Sequence, residues 1–257
     1  MFRTLLRRAG VVALATAAAA TVATTPASAV QAGYYKNAYS DTIYHYEGDK
    51  APTPIDFQTW EAAGFPVPKD TPTSYVKYAW SPHVYAVTFW EHADQTWQWD
   101  KLDFNQWSRA GKPAAQNAGW IKGSEYYKFA TANEIFVESD GVKHKLTAAE
   151  WQASGYRTFV ELTTVGFMKM SWAQDIRYVT DLGVYSDVYI VDYADWKAED
   201  FPTPQAVHRL PGDGFYRSCS VYSTIVYDGP ILSKVVNYNE WVAAGRPAPS
   251  TTECIYT

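Results

Sequence analysis

The chain has 257 residues, with 22 Lys and Arg against 27 Asp and Glu, and its formal net charge is −5 at pH 7. This acidic balance argues against nucleic acid as the partner, because neutralising phosphates requires clustered basic residues, and against electrostatic binding to an anionic membrane. The 20 Tyr and 11 Trp are typical of a β-rich protein.

The N-terminus has the pattern of an export signal. Arg3, Arg7 and Arg8 precede an alanine-rich apolar stretch, and the small-residue site Ala27-Ser28-Ala29 follows it. The pattern predicts a cleavable signal peptide over residues 1–29 and a secreted, extracellular mature chain, with the general secretory and twin-arginine routes both open. No later apolar run is long enough to span a bilayer, so we expect no transmembrane segment in the mature chain.

Five tryptophans reveal an internal repeat, because they follow one another at intervals of 47, 44, 45 and 45 residues. They are Trp60, Trp107, Trp151, Trp196 and Trp241. A constant period of this size is typical of solenoids and propeller-like arrays. We therefore predict that residues 30–257 form one domain of five copies, which cover roughly residues 33–73, 74–122, 123–164, 165–212 and 213–257.

Each repeat tryptophan lies four residues after a side chain that favours the start of a helix. These residues are Asp56, Asp103, Thr147, Asp192 and Asn237. A glycine follows eight residues after the cap in four copies, and Asp200 takes its place in the fourth. The pattern predicts a capped helix of about two turns, in which the tryptophan packs against the apolar residue before the cap. We interpret the five tryptophans as structural rather than as sugar-stacking platforms.

Strand-like sequence precedes each helix, and an aromatic-x-basic triplet opens every copy. The unit is predicted to be β-β-β-short helix, with the helix or the exit loop covering the remaining sheet edge. Because the end copies keep the interior pattern, we favour a closed five-fold propeller-like ring over an open curved array. In copy number and period the chain resembles the five-bladed, sugar-binding lectins of the tachylectin type, a resemblance that identifies no site residues.

Two groups of residues are candidates for ligand binding, because the repeat does not need them. One is the basic residue of each triplet, which could converge on an anionic ligand in a ring or simply cover apolar surface. The other is the tryptophan-rich hairpin of the divergent second copy. The candidates are Lys36, Lys77, Lys128, Lys169, Arg217, Trp90, Trp97 and Trp99.

The remaining signals concern cysteine and catalysis. In an exported chain, Cys219 and Cys254 are predicted to form a disulfide. The sequence predicts no catalytic residue, metal site or cofactor, since the five histidines show no metal-binding spacing and no nucleophile motif occurs.

We expect a monomeric, non-catalytic binding protein for carbohydrate or cell-envelope glycan. The alternatives are a protein-interaction or envelope-structural scaffold with a protein partner, and a polymer-degrading hydrolase.

Overall fold

The computed structural model describes residues 30–90, 96–180, 188–210, 212–219, 224–229 and 232–255, with the backbone alone at residues 96 and 251–255. The predicted signal peptide, residues 1–29, lies outside these ranges. Across the described part of the chain, the helices are all too short or too polar to cross a membrane.

The described residues are mainly β, with one helix of six residues in each copy. The first copy contains β1 (Gly33–Lys36), β2 (Ile43–Tyr46), β3 (Thr53–Ile55), α1 (Phe57–Ala62) and β4 (Lys69–Asp70). The second contains β5 (Thr73–Lys77), β6 (Val84–Trp90), β7 (Thr96–Leu102), α2 (Phe104–Arg109) and β8 (Gln116–Asn117). The third contains β9 (Glu125–Lys128), β10 (Phe136–Ser139), β11 (Val142–Lys145), α3 (Ala148–Ala153) and β12 (Val160–Glu161).

The last two copies repeat the same order of elements. The fourth contains β13 (Gly166–Met170), β14 (Ile176–Val179), β15 (Val188–Val191), α4 (Tyr193–Ala198) and β16 (Gln205–Val207). The fifth contains β17 (Gly214–Ser218), β18 (Ile225–Asp228), β19 (Ser233–Val236), α5 (Tyr238–Ala243) and β20 (Ser250–Ile255).

Each copy builds its own four-stranded sheet, and this corrects the predicted three-stranded unit. The spatial order is third, second, first, fourth, as in β3-β2-β1-β4. The first three strands are antiparallel, whereas the fourth returns after the helix and pairs in parallel with the first. The exit segment therefore covers the remaining edge as a strand. In the first three copies this strand has only two residues, too few to show any alternation of polar and apolar side chains.

The helix starts are formed as predicted. In all five copies the cap side chain accepts a hydrogen bond from the backbone N–H three residues later. In three copies the side chain of the third helical residue also accepts the backbone N–H of the cap and completes a capping box; these residues are Gln106, Glu150 and Glu240. Each helix thereby satisfies N–H groups that would otherwise lack a partner at its first turn.

The helix ends contain a feature that the sequence did not predict. Each has two successive residues with positive φ, of which the second is not glycine and has a φ between 54° and 56°. These second residues are Phe65, Lys112, Tyr156, Phe201 and Arg246. Each donates its backbone N–H to the carbonyl of the repeat tryptophan five residues earlier, which compensates for the left-handed conformation.

The repeat tryptophans hold the exit segment against the helix. Each indole Nε1 donates to the carbonyl oxygen six residues later, at distances from 2.8 to 3.2 Å. All five rings are half-buried. This repeated hydrogen bond supports their structural interpretation.

Neighbouring sheets contact each other through the loop that follows the first strand. Tyr39 of the first copy donates its hydroxyl to Asp100 of the second, at 2.5 Å. At the equivalent positions, Trp80 stacks on His144 with ring centroids 4.6 Å apart, and Trp172 lies 5.6 Å from the ammonium of Lys234. These contacts join consecutive copies in order and do not by themselves close a ring.

Candidate functional site

A cleft of about 710 Å³ opens beside the first strand of the third copy and extends to the fourth copy. It forms because the short β12 pairs only with Tyr127 and Lys128 of β9, which leaves the beginning of β9 uncovered. The aromatic rings that line it are Trp120, Tyr126, Tyr127, Phe129 and Tyr178, and the charged side chains are Glu125, Glu138, Lys143, Arg157 and Glu199.

One wall of the cleft is an aromatic pair covered by a cation. The guanidinium carbon of Arg157 lies 4.1 Å from the centroid of the Trp120 ring. Trp120 and Trp99 form an edge-to-face pair, with centroids 5.6 Å apart and an interplanar angle of 73°. Such cation–π and edge-to-face contacts hold the Trp120 ring in a defined orientation.

Polar groups also line the cleft. The Tyr127 hydroxyl is buried and makes no hydrogen bond with any described residue. Burial, followed by the charges of Glu199 and Glu138, raises the pKa of Tyr127, so the phenol stays protonated at neutral pH. Lys143 pairs with Glu199 at 2.6 Å, which links the third sheet to the end of the fourth helix.

This arrangement suits a small polar ligand with apolar faces. A buried hydroxyl without a partner carries an energetic cost that a ligand hydrogen bond would remove. Aromatic rings and a few convergent polar groups are the usual lining of small-molecule sites. The sequence identified none of the residues that line the cleft as ligand-binding candidates. Of its candidates, Trp99 contacts the lining residue Trp120.

The five predicted basic residues occupy equivalent positions at or near the end of each first strand. Lys36 forms an ion pair with Asp41 at 3.2 Å, and Asp41 also binds Arg109 of the second copy. Lys77 lines a second cleft, of about 550 Å³. Lys128 is aligned with Glu161 of the adjacent strand, and Lys169 with Ala206. Arg217 is exposed.

The three predicted tryptophans of the second copy have different environments. Trp90 is 1 % exposed and packs against Tyr35 and Tyr46 of the first copy, so its ring belongs to the core rather than to the surface. Trp97 is 52 % exposed and lies on Phe89. Trp99 is half-buried against Trp120 at the edge of the large cleft.

The cysteine prediction is only partly addressed by the described residues. Cys219 directly follows β17, and Cys254 lies in β20, aligned with Arg217. The side chain of Cys254 lies outside the described residues, so the disulfide stays a prediction. Over the same described ranges, no group of three or more His, Cys, Asp or Glu is arranged to hold a metal ion.

Comparison of the chain with protein-family models, with curated proteins and with solved structures found no match in any of the three.

Proposed function

We propose that the protein binds a carbohydrate in the cleft between the third and fourth copies. The observation that carries the proposal is the buried, unpartnered Tyr127 hydroxyl beside the aromatic wall of Trp120. A sugar ring presents C–H faces that pack on aromatic rings and hydroxyl groups that accept and donate hydrogen bonds. Tyr127, Glu138 and Glu199 would bind the hydroxyls, while Trp120 would pack against the sugar with the ring face that Arg157 leaves uncovered.

Binding of the mature chain to a glycan array, followed by calorimetry with the best ligand, tests this proposal. Replacement Tyr127→Phe removes one hydrogen bond and is expected to weaken binding about fivefold to tenfold, on the order of 1 kcal/mol. The matched control is Tyr238→Phe, at a tyrosine that is 68 % exposed on α5, and it should bind like the wild type. Equal losses in the two variants, or no glycan retained by the wild type, would contradict the proposal.

The proposal includes export, with residues 1–29 acting as a cleaved signal peptide. It is supported by the basic, apolar and small-residue segments of the N-terminus. N-terminal sequencing of the protein recovered from culture medium should begin at Val30, and a protein retained with its first residues would contradict export.

A hydrolase is the second candidate, and one observation favours it. Glu138 and Glu199 line the same cleft, and a pair of carboxyl groups is the usual catalytic set for cleaving a glycosidic bond. Incubation of the best array ligand with the protein separates the two functions. Release of reducing ends that Glu138→Gln abolishes would favour hydrolysis, whereas an intact ligand would favour binding alone.

A protein scaffold is the third candidate, because aromatic side chains are exposed at the start of four helices. Phe57, Phe104, Tyr193 and Tyr238 are 63 to 69 % exposed. Exposed apolar residues at equivalent positions of a repeat fit a partner that contacts several copies. Cross-linking that recovers one defined protein through these helices, with glycans inert, would favour this function.

We also propose that the five sheets close into a ring. In later copies the loop of the preceding copy covers one face of the sheet. Tyr34 and His45 lie on the equivalent face of the first sheet, where their ring centroids are 4.7 Å apart and the rings are tilted by 30°. Both are half-buried. Closure would place the fifth copy on this face. Spin labels on the first and fifth sheets would then lie as close as labels on the first and second, and a much longer distance would indicate an open array.

A further inference from the structure

A smaller cleft, of about 320 Å³, adjoins the large one on the fourth copy. The two clefts share two lining residues, Tyr178 of β14 and Glu199, which directly follows α4. Each volume falls within the roughly 300–1,000 Å³ that is usual for small-molecule sites. A ligand that crosses Tyr178 and Glu199 can therefore occupy both clefts.

The strand register explains why the two clefts adjoin. Tyr178 is paired with Phe167 of β13 on one side and with Tyr189 of β15 on the other, so the three side chains lie on one face of the fourth sheet. Phe129, which directly follows β9 of the third copy, packs against Phe167 and Tyr178, with centroids 5.5 and 6.2 Å away. This face of the fourth sheet is therefore directed towards the third copy, which supplies most of the large cleft.

The small cleft has an uncovered aromatic ring of its own. Tyr189 is 54 % exposed and lies on β15, the strand at the edge of the fourth sheet, whereas Phe167 is buried. A half-exposed ring that lines a cleft offers a surface for the C–H face of a sugar. Trp120 lines only the large cleft and Tyr189 only the small one, so the two rings can serve two different sugar units.

The charged side chains of the small cleft are carboxylates. Asp195 of α4 is exposed, and Lys143 holds Glu199 at the junction through an ion pair of 2.6 Å with its Oε1. The described residues that line this cleft include no Lys, Arg or His. Carboxylates accept hydrogen bonds from sugar hydroxyls but repel an anionic group. The charge of the small cleft therefore favours a neutral sugar unit over an acidic one.

We propose that the two clefts together bind one linear chain of neutral sugar units. One part of the chain packs on Trp120 and binds Tyr127 in the large cleft, and the next part packs on Tyr189 in the small cleft. Glu199 accepts a hydroxyl where the chain crosses between them. The proposal rests on the proposed glycan-binding function and adds that the ligand is an oligosaccharide rather than a single terminal sugar.

Calorimetry with cello-, manno- and chito-oligosaccharides, each with two and with six units, tests the proposal. In at least one series, the mature wild-type protein should bind the six-unit probe about tenfold more tightly than the two-unit probe, because only the longer chain fills both clefts.

Replacement Tyr189→Ala removes the ring of the small cleft. It should weaken binding of the six-unit probe about threefold to tenfold and leave binding of the two-unit probe unchanged. Tyr189→Phe keeps the ring and should bind like the wild type. The matched control is Tyr238→Ala, at a tyrosine that is 68 % exposed on α5, and it should bind both probes like the wild type. The thermal unfolding temperature of each variant verifies that it is folded.

The extended site and the proposed function fail through different results. Equal wild-type affinity for the two lengths, an equal loss in Tyr189→Ala and Tyr238→Ala, or no binding of any six-unit probe by a protein that retains another glycan would overturn the extended site alone. Tyr127→Phe should weaken both lengths by the same factor, because it changes only the large cleft. Retention of no glycan of any kind would contradict the proposed function itself.

Discussion

At the scale of single residues, the repeat tryptophans have a double role. Each ring packs between its helix and the exit segment, while its N–H binds the exit backbone. In three copies an aromatic residue with positive φ meets the ring edge-on, as Phe201 meets Trp196 at 5.0 Å and 87°. The spacing of the tryptophans predicted the packing role, whereas the hydrogen bond depends on the path of the chain after the helix.

Replacement Trp196→Phe should separate these two contributions. Phenylalanine keeps an aromatic ring but loses the hydrogen bond to Pro202, which is 2.8 Å long. We expect the free energy of unfolding to fall by about 1 to 2 kcal/mol, measured by urea denaturation. Trp97→Phe is the control, because Trp97 is 52 % exposed, and its change should stay within about 0.5 kcal/mol. An equal change in the two variants would contradict the role of the indole N–H.

At the scale of elements, the helices were predictable and the fourth strands were not. A cap, an apolar period and a terminal glycine are local signals, so helix position and capping boxes follow from the sequence. The fourth strand of a copy depends on a parallel partner far away in the chain, and two residues such as Lys69 and Asp70 carry no strand pattern of their own. The exposed residues Phe57 and Tyr238 were missed for a related reason, since the helix pattern alone does not say which side of a six-residue helix stays uncovered.

The capping box of α3 provides a pH-dependent test at this scale. Burial of Glu150 favours its neutral form, but hydrogen bonds from the Thr147 backbone and hydroxyl and from His144 lower its pKa below the ordinary value of 4.5. A lowered pKa in the folded state means that the stabilisation is present above that ordinary value and is lost as the pH falls through the folded pKa.

Replacement Glu150→Gln should therefore make the acid side of the stability profile shallower between about pH 5 and pH 3. Glutamine can still complete a capping box, as Gln106 does in the second copy, so the helix start should be kept. Thermal unfolding across this pH range, with Glu161→Gln on the exposed β12 as the control, measures the effect. A profile in Glu150→Gln as steep as that of the wild type would show that Glu150 does not contribute.

At the scale of the whole molecule, the large cleft depends on how the copies diverge and meet. Tyr127 and Glu138 come from the third copy and Glu199 from the fourth, so no motif within one copy could reveal the large cleft. The sequence did identify Lys77 and the divergence of the second copy, but it could not show that Phe104 lines the same cleft as that lysine. The period fixes the number of sheets, whereas the clefts depend on residues that differ between copies.

The most direct test of the central claim is hydroxyl-radical footprinting of the mature protein with and without the glycan that it binds best. If the cleft between the third and fourth copies is the site, oxidation of Trp120 should fall on binding, while oxidation of Trp97 stays unchanged. Unchanged oxidation of Trp120 together with protection of Trp97, or of the exposed helix residues Phe57 and Tyr238, would contradict the proposed site.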